Sequence, residues 1–325
     1  MPEIIIREAI AQGLREALDE DDRVFMLGED IGAYDGAYAV TRGFLKQYGP
    51  DRIRDTPISE SVIVGAAVGA ALAGMRPIVE IMTINFTLLA IDQIVNHAAK
   101  LRYMSNGQFT VPMMMRTVTG GGGQLAATHS QSFEGWYASV PGLKVLTPST
   151  PYDALGLLRA SRKDLNPIVF AEHSMLYGTR GEVPEEYFEV PLGKAVVRRP
   201  GKDVTIIGYS RMAHIAEEAG NRLAEKGVDA EVIDLRSLRP LDTETLVESV
   251  KKTNRAVVVE EAWKFGGFSG EIASAIQEEA FDYLDGPVAR VNGLDVPAPY
   301  NGTLEAATIP TAQRVLDTIE EKFGI

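Results

Sequence analysis

Short apolar runs alternate with helix-spaced segments along most of the chain, and this alternation limits the fold more than any other feature. Apolar runs at Val24–Gly28, Pro77–Ile81, Val111–Arg116, Leu143–Leu146 and Pro167–Ala171 are short and nearly continuous. Such runs suit strands buried on both faces. Between them, residues 4–19, 60–74, 87–104 and 151–162 carry apolar positions at helical spacing. Strand and helix in turn imply a mainly parallel sheet covered by helices. A second set follows, with strands at Asp203–Gly208, Val228–Leu235, Arg255–Glu261 and Val288–Val291. Its helices fall at 211–226, 242–252, 268–284 and 310–323. Lys226 followed by Gly227 marks a helix end, with a cation in the last turn and glycine just beyond it.

The two sets are separated by residues 173–200, where Gly178, Gly181, Pro184, Pro191 and Pro200 stand among polar residues. That composition reads as a connection between domains. A length of 325 residues also fits two domains. The expected division is a first domain over 1–180, a linker over 181–200 and a second domain over 201–325.

Bulk properties remove several function classes. The net charge of −13 repels phosphate backbones and anionic lipid, which argues against nucleic-acid and membrane-surface binding. The absence of cysteine excludes disulfides, thiol catalysis and cysteine-ligated metal. The first residues carry no basic segment followed by a long apolar run, and the apolar stretch 62–75 is too short for a membrane span. A cytoplasmic or equivalent reducing compartment is expected.

Four constellations could carry chemistry. Asp55-Thr56-Pro57-Ile58-Ser59-Glu60 leads into a glycine-spaced helix containing Gly65, Gly69 and Gly74. Ser59 suits an N-cap and Glu60 the first turn, where the helix dipole alone favours an acid. A carboxyl there could also exchange a proton with a bound ring nitrogen. Gly120–Gly123 with Gln124 forms a glycine-rich loop before His129-Ser130-Gln131-Ser132. It permits close approach of a ligand or another backbone, yet it is neither a Walker loop nor a dinucleotide fingerprint. Met82-Thr83-Ile84-Asn85-Phe86 ends a strand, where open α/β sheets bind ligands, so Met82 and Phe86 could wall a flat heterocycle or simply be core. Asp164-Leu165-Asn166-Pro167 is a turn by default, and its oxygens could hold a hard cation. His97, His129, His173 and His214 lack paired metal-ligand spacing.

Over nearly its whole length the chain resembles the beta subunit of the decarboxylating component of pyruvate and branched-chain 2-oxo acid dehydrogenase complexes. The residues that carry the resemblance are Gly28–Ile31, Tyr34–Tyr38, Asp55–Glu60, Ile91–Ile94, His129–Gln131, Pro141–Val145 and Asp295–Tyr300, in family order and spacing. It implies an α/β, transketolase-like fold of two mainly parallel domains, a pyrimidine-binding domain and a C-terminal transketolase-type domain. It implies thiamine diphosphate shared with an alpha subunit in an α2β2 heterotetramer, with Mg²⁺ held by that alpha subunit. The sequence contains no Gly-Asp-Gly, the family's diphosphate and metal motif, which agrees with a cofactor completed by another chain.

On this resemblance Glu60 is the cofactor-activating glutamate, and Met82 and Phe86 contact the aminopyrimidine. His129 serves substrate binding or proton handling during transfer to the lipoyl group of a dihydrolipoamide acyltransferase, the second partner. A structural K⁺ would sit at Met113, Ser161, Arg162, Asp164 and Asn166. Leu89 departs from the Gln of some pyruvate-type relatives. The segment 82–86 looks like the pyruvate type, with branched-chain 2-oxo acid or acetoin dehydrogenase beta subunits as alternatives. A non-catalytic α/β scaffold is the rival of a different class.

Overall fold

A computed structural model describes residues 2–325 and divides the chain into two compact units. The first runs up to Thr119 and resumes over Trp136–Leu192; the second holds Gly120–Gly135 together with Gly193–Ile325. Beside the expected succession 1–180, 181–200, 201–325, the contacts group Gly120–Gly135 with the second unit. The glycine-rich loop and His129 belong with the second unit.

In the first unit the strands are β1 (Glu3–Ile5), β2 (Val24–Gly28), β3 (Ile53–Asp55), β4 (Arg76–Ile81), β5 (Met114–Thr119), β6 (Lys144–Leu146), β7 (Ile168–His173) and β8 (Arg180–Glu182). Six of them form a parallel sheet in the order β6-β7-β5-β4-β2-β3. Residues 78–81 of β4 and 168–171 of β7 are all buried, as strands covered on both faces must be. The helix Ile6–Glu20 buries Ile6, Ile10, Leu14 and Leu18 along one stripe and packs on the helix Pro151–Ser161. Thr150 caps the latter by accepting from the Asp153 amide, and Pro151 stands at its first position. Gly142 is required where it stands: its φ is +100°, and a Cβ would lie 1.9 Å from the Ala99 carbonyl.

One buried ionic network crosses this sheet. Arg116 on β5 donates to both Glu172 oxygens at 2.7 and 2.9 Å and to Glu80 at 2.5 Å, while the Tyr177 hydroxyl donates to Glu172 at 2.6 Å. Buried charges persist only when paired in this way. Burial still pushes the Glu172 carboxyl up, against the Arg116 charge that lowers it.

The second unit holds β9 (Val196–Arg199), β10 (Val204–Gly208), β11 (Ala230–Asp234), the short β12 (Ser237–Arg239), β13 (Ala256–Trp263) and β14 (Ala289–Gly293). Its sheet has the order β14-β13-β10-β11-β9, parallel except for β9 at the edge. The helices Arg211–Glu225 and Ala312–Phe323 cover one core of Ile206, Val232, Val257, Val259, Val315 and Ile319. Gly227 has φ +86°, as expected for the residue just past a helix end.

Three local expectations change. The single helix over 87–104 is instead a 3₁₀ turn at Phe86–Ala90, a π segment at Gln93–Ala98 and a short α turn at Leu101–Met104. The connection over 173–200 contains β8, which pairs antiparallel with β1, and β9. A short helix, Gly302–Thr308, precedes the closing helix, capped by Asn301.

Candidate functional site

Strands β4, β2 and β3 are adjacent and parallel, so their C-terminal ends share one edge of the sheet. Ligands of open α/β sheets bind at this edge. Beyond β2 comes Glu29, beyond β3 comes the turn 56–59 leading to Glu60, and beyond β4 come Met82 and Phe86.

Asp55, the last residue of β3, accepts the amides of Gly32 and Ala33 at 2.6 and 2.8 Å and so fixes the loop after β2. Asp35 accepts the Gly43 amide at 2.9 Å within the same segment. The Tyr34–Tyr38 motif is thereby held by carboxylate-to-amide bonds, each of the stronger, charge-assisted kind.

Glu60 opens the helix Glu60–Leu72 and is 5% exposed. Ser59 occupies the N-cap position but does not cap; its hydroxyl donates to the Pro57 carbonyl at 3.0 Å. Among the described residues no hydrogen-bond donor meets the Glu60 carboxyl, and its recorded electrostatic neighbour is Glu29. Burial, then the charge of Glu60, pushes the Glu29 carboxyl up, while the Ser59 amide draws it down. The Glu60 oxygens are not fully enclosed, so a ligand at this edge could reach the carboxyl and supply the donor that the protein does not. Glu29 was not singled out from sequence; its place just past a strand end was the available signal.

Met82 and Phe86 are half-buried, and the 3₁₀ turn starting at Phe86 packs against the Glu60–Leu72 helix. Sheet and packing therefore bring Glu29, Glu60, Met82 and Phe86 to one edge. A carboxyl beside a thioether and an aromatic ring suits a flat, partly apolar heterocycle carrying a protonatable nitrogen.

His129 lies in the second unit and is exposed, with Nδ1 2.9 Å from the Thr128 hydroxyl. The glycine-rich loop before it does not stand open for a ligand. Gly121 donates its amide to Glu261 Oε1 at 2.7 Å, Gly122 to Glu305 Oε1 at 3.0 Å and Gln124 to Glu305 Oε2 at 2.9 Å.

Met113, Ser161, Arg162, Asp164 and Asn166 line one cavity of about 270 Å³ in the first unit. Their main-chain oxygens are the hard donors that an alkali cation takes. One cation already competes there: Arg76 donates to the Arg162 carbonyl at 2.5 Å and lies 3.5 Å from that of Asp164. Asp164 itself pairs with Lys144 and accepts from the Asn166 amide and side chain at 2.8 Å each, as in an Asx turn. Burial raises the Asp164 pKa, but Lys144 and Asn166 outweigh it and hold the carboxyl low. Among the described residues no cluster of three His, Asp or Glu side chains could hold a metal. Nor is any helix long and apolar enough to cross a membrane.

The transketolase pyrimidine binding domain matches residues 3–179 and the transketolase C-terminal domain matches residues 193–315. The beta subunit of the pyruvate dehydrogenase E1 component of Caenorhabditis elegans, a mitochondrial protein, is 49% identical over 98% of this chain and 92% of its own length. The corresponding subunit of Rickettsia felis is 47% identical, covering 98% of each chain. The mitochondrial beta-1 subunit of Arabidopsis thaliana is 47% identical over 97% of this chain and 88% of its own. A solved split-gene transketolase, described as an inactive beta4 tetramer, superposes with a TM-score of 0.81 over 99% of this chain and 98% of its own; at 24% identity it speaks for the fold alone. The chain belongs to the family of pyruvate dehydrogenase E1 component beta subunits, thiamine-diphosphate-dependent proteins built from a transketolase pyrimidine-binding domain and a transketolase C-terminal domain.

Proposed function

We infer that this chain is the beta half of a pyruvate dehydrogenase that decarboxylates pyruvate and acetylates the lipoyl group of a dihydrolipoamide acyltransferase. The observation that carries the reading is the buried Glu60 carboxyl, which lacks a protein donor and stands at the sheet edge with Met82 and Phe86.

Thiamine diphosphate, when bound, supplies the electron sink for loss of carbon dioxide. Glu60 would hold a proton toward the aminopyrimidine ring nitrogen, which would meet its open hydrogen-bonding capacity. Met82 and Phe86 would wall the ring and keep water from it. His129 binds the substrate carboxylate or handles a proton during transfer to the lipoyl group. The diphosphate and Mg²⁺ fall to the alpha subunit, because this chain has no Gly-Asp-Gly. The two subunits form an α2β2 assembly on this reading. K⁺ would be held by the main-chain oxygens of Met113, Ser161, Arg162, Asp164 and Asn166, with Arg76 reoriented or sharing them.

Met82-Thr83-Ile84-Asn85-Phe86 favours pyruvate over branched-chain 2-oxo acids. The test is steady-state kinetics of the chain assembled with its alpha subunit, since kcat/KM ratios measure discrimination. Pyruvate is expected to exceed 3-methyl-2-oxobutanoate by at least about tenfold, as differences of one or two methylenes allow. A ratio near unity or inverted, or turnover by this chain with no alpha subunit, overturns the reading.

A further inference from the structure

The glycine-rich loop can cradle a ligand or another backbone closely. In the structure the cradle is filled from within. Gly120, Gly122, Gln124 and Ala126 all have positive φ, at +83°, +95°, +56° and +65°. Alternation of left-handed residues with ordinary ones turns successive amides towards one side and makes an anion-binding concavity. The anions seated there are the carboxylates of Glu261 and Glu305. Glu305 is 2% exposed and takes two amides, one on each oxygen. The space left among Gly121, Ser130, Glu261, Trp263 and Glu305 is about 40 Å³, enough for a water or two but not for a phosphate ester.

The loop is also closed on itself. The Gly120 amide donates to the Gln131 carbonyl at 3.1 Å, and the His129 amide to that of Ala126 at 3.2 Å. Gly121 approaches Ser130 so closely that a Cβ on it would lie 3.5 Å from the serine Cβ. The half of the loop seated on the carboxylates therefore abuts the half that bears His129. All these contacts lie within the second unit.

We propose that Glu305, assisted by Glu261, is a positioning residue that sets the conformation of the 120–131 loop and thereby the placement of His129. The proposal builds on the role assigned to His129 above, and its test keeps the two apart.

The experiment uses the assembled α2β2 enzyme carrying Glu305→Gln, Glu261→Gln, His129→Ala or the pair Glu305→Gln with His129→Ala. Hydrogen exchange of the peptide covering 120–131 is measured beside acetyl transfer to a lipoyl domain and decarboxylation with an artificial oxidant. Glu305→Gln is expected to speed exchange of the loop amides by about tenfold or more, as loss of local protection does. It should slow acetyl transfer at least about tenfold, approaching the 10²-fold cost of a 1 Å misplacement. In the His129→Ala background it should add less than about twofold, because coupled residues are not additive. Glu261→Gln, which leaves the Gly121 amide only a weaker, neutral acceptor, should give a smaller change of the same kind; it decides the question if Glu305→Gln does not assemble. Unchanged exchange in these variants overturns the proposal, as does a full additional loss in the His129→Ala background. Should His129→Ala leave every rate intact, the role given to His129 fails, while the exchange data still decide whether the carboxylates hold the loop.

Discussion

At the scale of single residues the proposed chemistry concentrates on Glu60. Among the described residues its carboxyl meets no donor, and its charge helps push the neighbouring Glu29 carboxyl up. Glu60→Gln keeps the shape and removes the exchangeable proton. Decarboxylation by the assembled enzyme is expected to fall by about 10²-fold or more, the usual weight of a placed acid/base group. The melting midpoint of the chain should change little, because the substitution keeps the shape and breaks no protein hydrogen bond. The Glu29 carboxyl should titrate lower than in the parent chain, since the like charge that helps push it up is gone. Near-normal turnover would take Glu60 out of the mechanism. The sequence allowed Glu60 to be picked out as an acid in a helix first turn, but an ordinary dipole-favoured residue gives the same pattern. What separates the two is burial and the lack of a donor, and neither can be read from spacing. Glu305 was invisible for the same reason: it is one acid on a short helix, and its partners lie more than 180 positions away.

At the scale of elements, the parallel strands were legible because strands buried on both faces must be continuously apolar. Positions 87–104 were misread because apolar residues three or four apart suit a helix of any winding. The backbone there changes from 3₁₀ to π, a change that periodicity does not reveal and that often accompanies functional sites. Glycines spaced along a helix, as in Glu60–Leu72, would suit close packing. Gly69 is in fact exposed, and a Cβ on it meets nothing within 4 Å. Gly69→Ala should therefore stabilise the isolated chain by about 0.5–1 kcal/mol, the helix-propensity difference, seen as a higher urea midpoint at unchanged m-value. A loss of stability would mean that the helix is strained in a way its dihedrals do not reveal. If the same variant weakens assembly with the alpha subunit, the bare face of this helix lies at the subunit boundary.

At the scale of the whole molecule, the chain carries a pyrimidine-type unit and a C-terminal unit but no Gly-Asp-Gly to grip a diphosphate. If the diphosphate and its metal are held by the alpha subunit, as proposed above, most of their binding energy comes from that chain. Mass action turns this into a measurement. A ligand that binds only the folded complex stabilises it by RT ln(1 + [L]/Kd), about 2.7 kcal/mol at a hundredfold excess over Kd. For chains of this size that is a rise of at least about 3 °C in melting midpoint. Thiamine diphosphate with Mg²⁺ should leave the melting of this chain alone unchanged and raise that of the mixture with its alpha subunit. On that division the shift should survive Glu60→Gln largely intact, with the carboxyl contributing chiefly to reaction. A shift of the same size in the chain alone would place the diphosphate site here and would contradict the division between subunits. A shift abolished by Glu60→Gln would make that carboxyl a main anchor of the ground state, with its part in catalysis secondary.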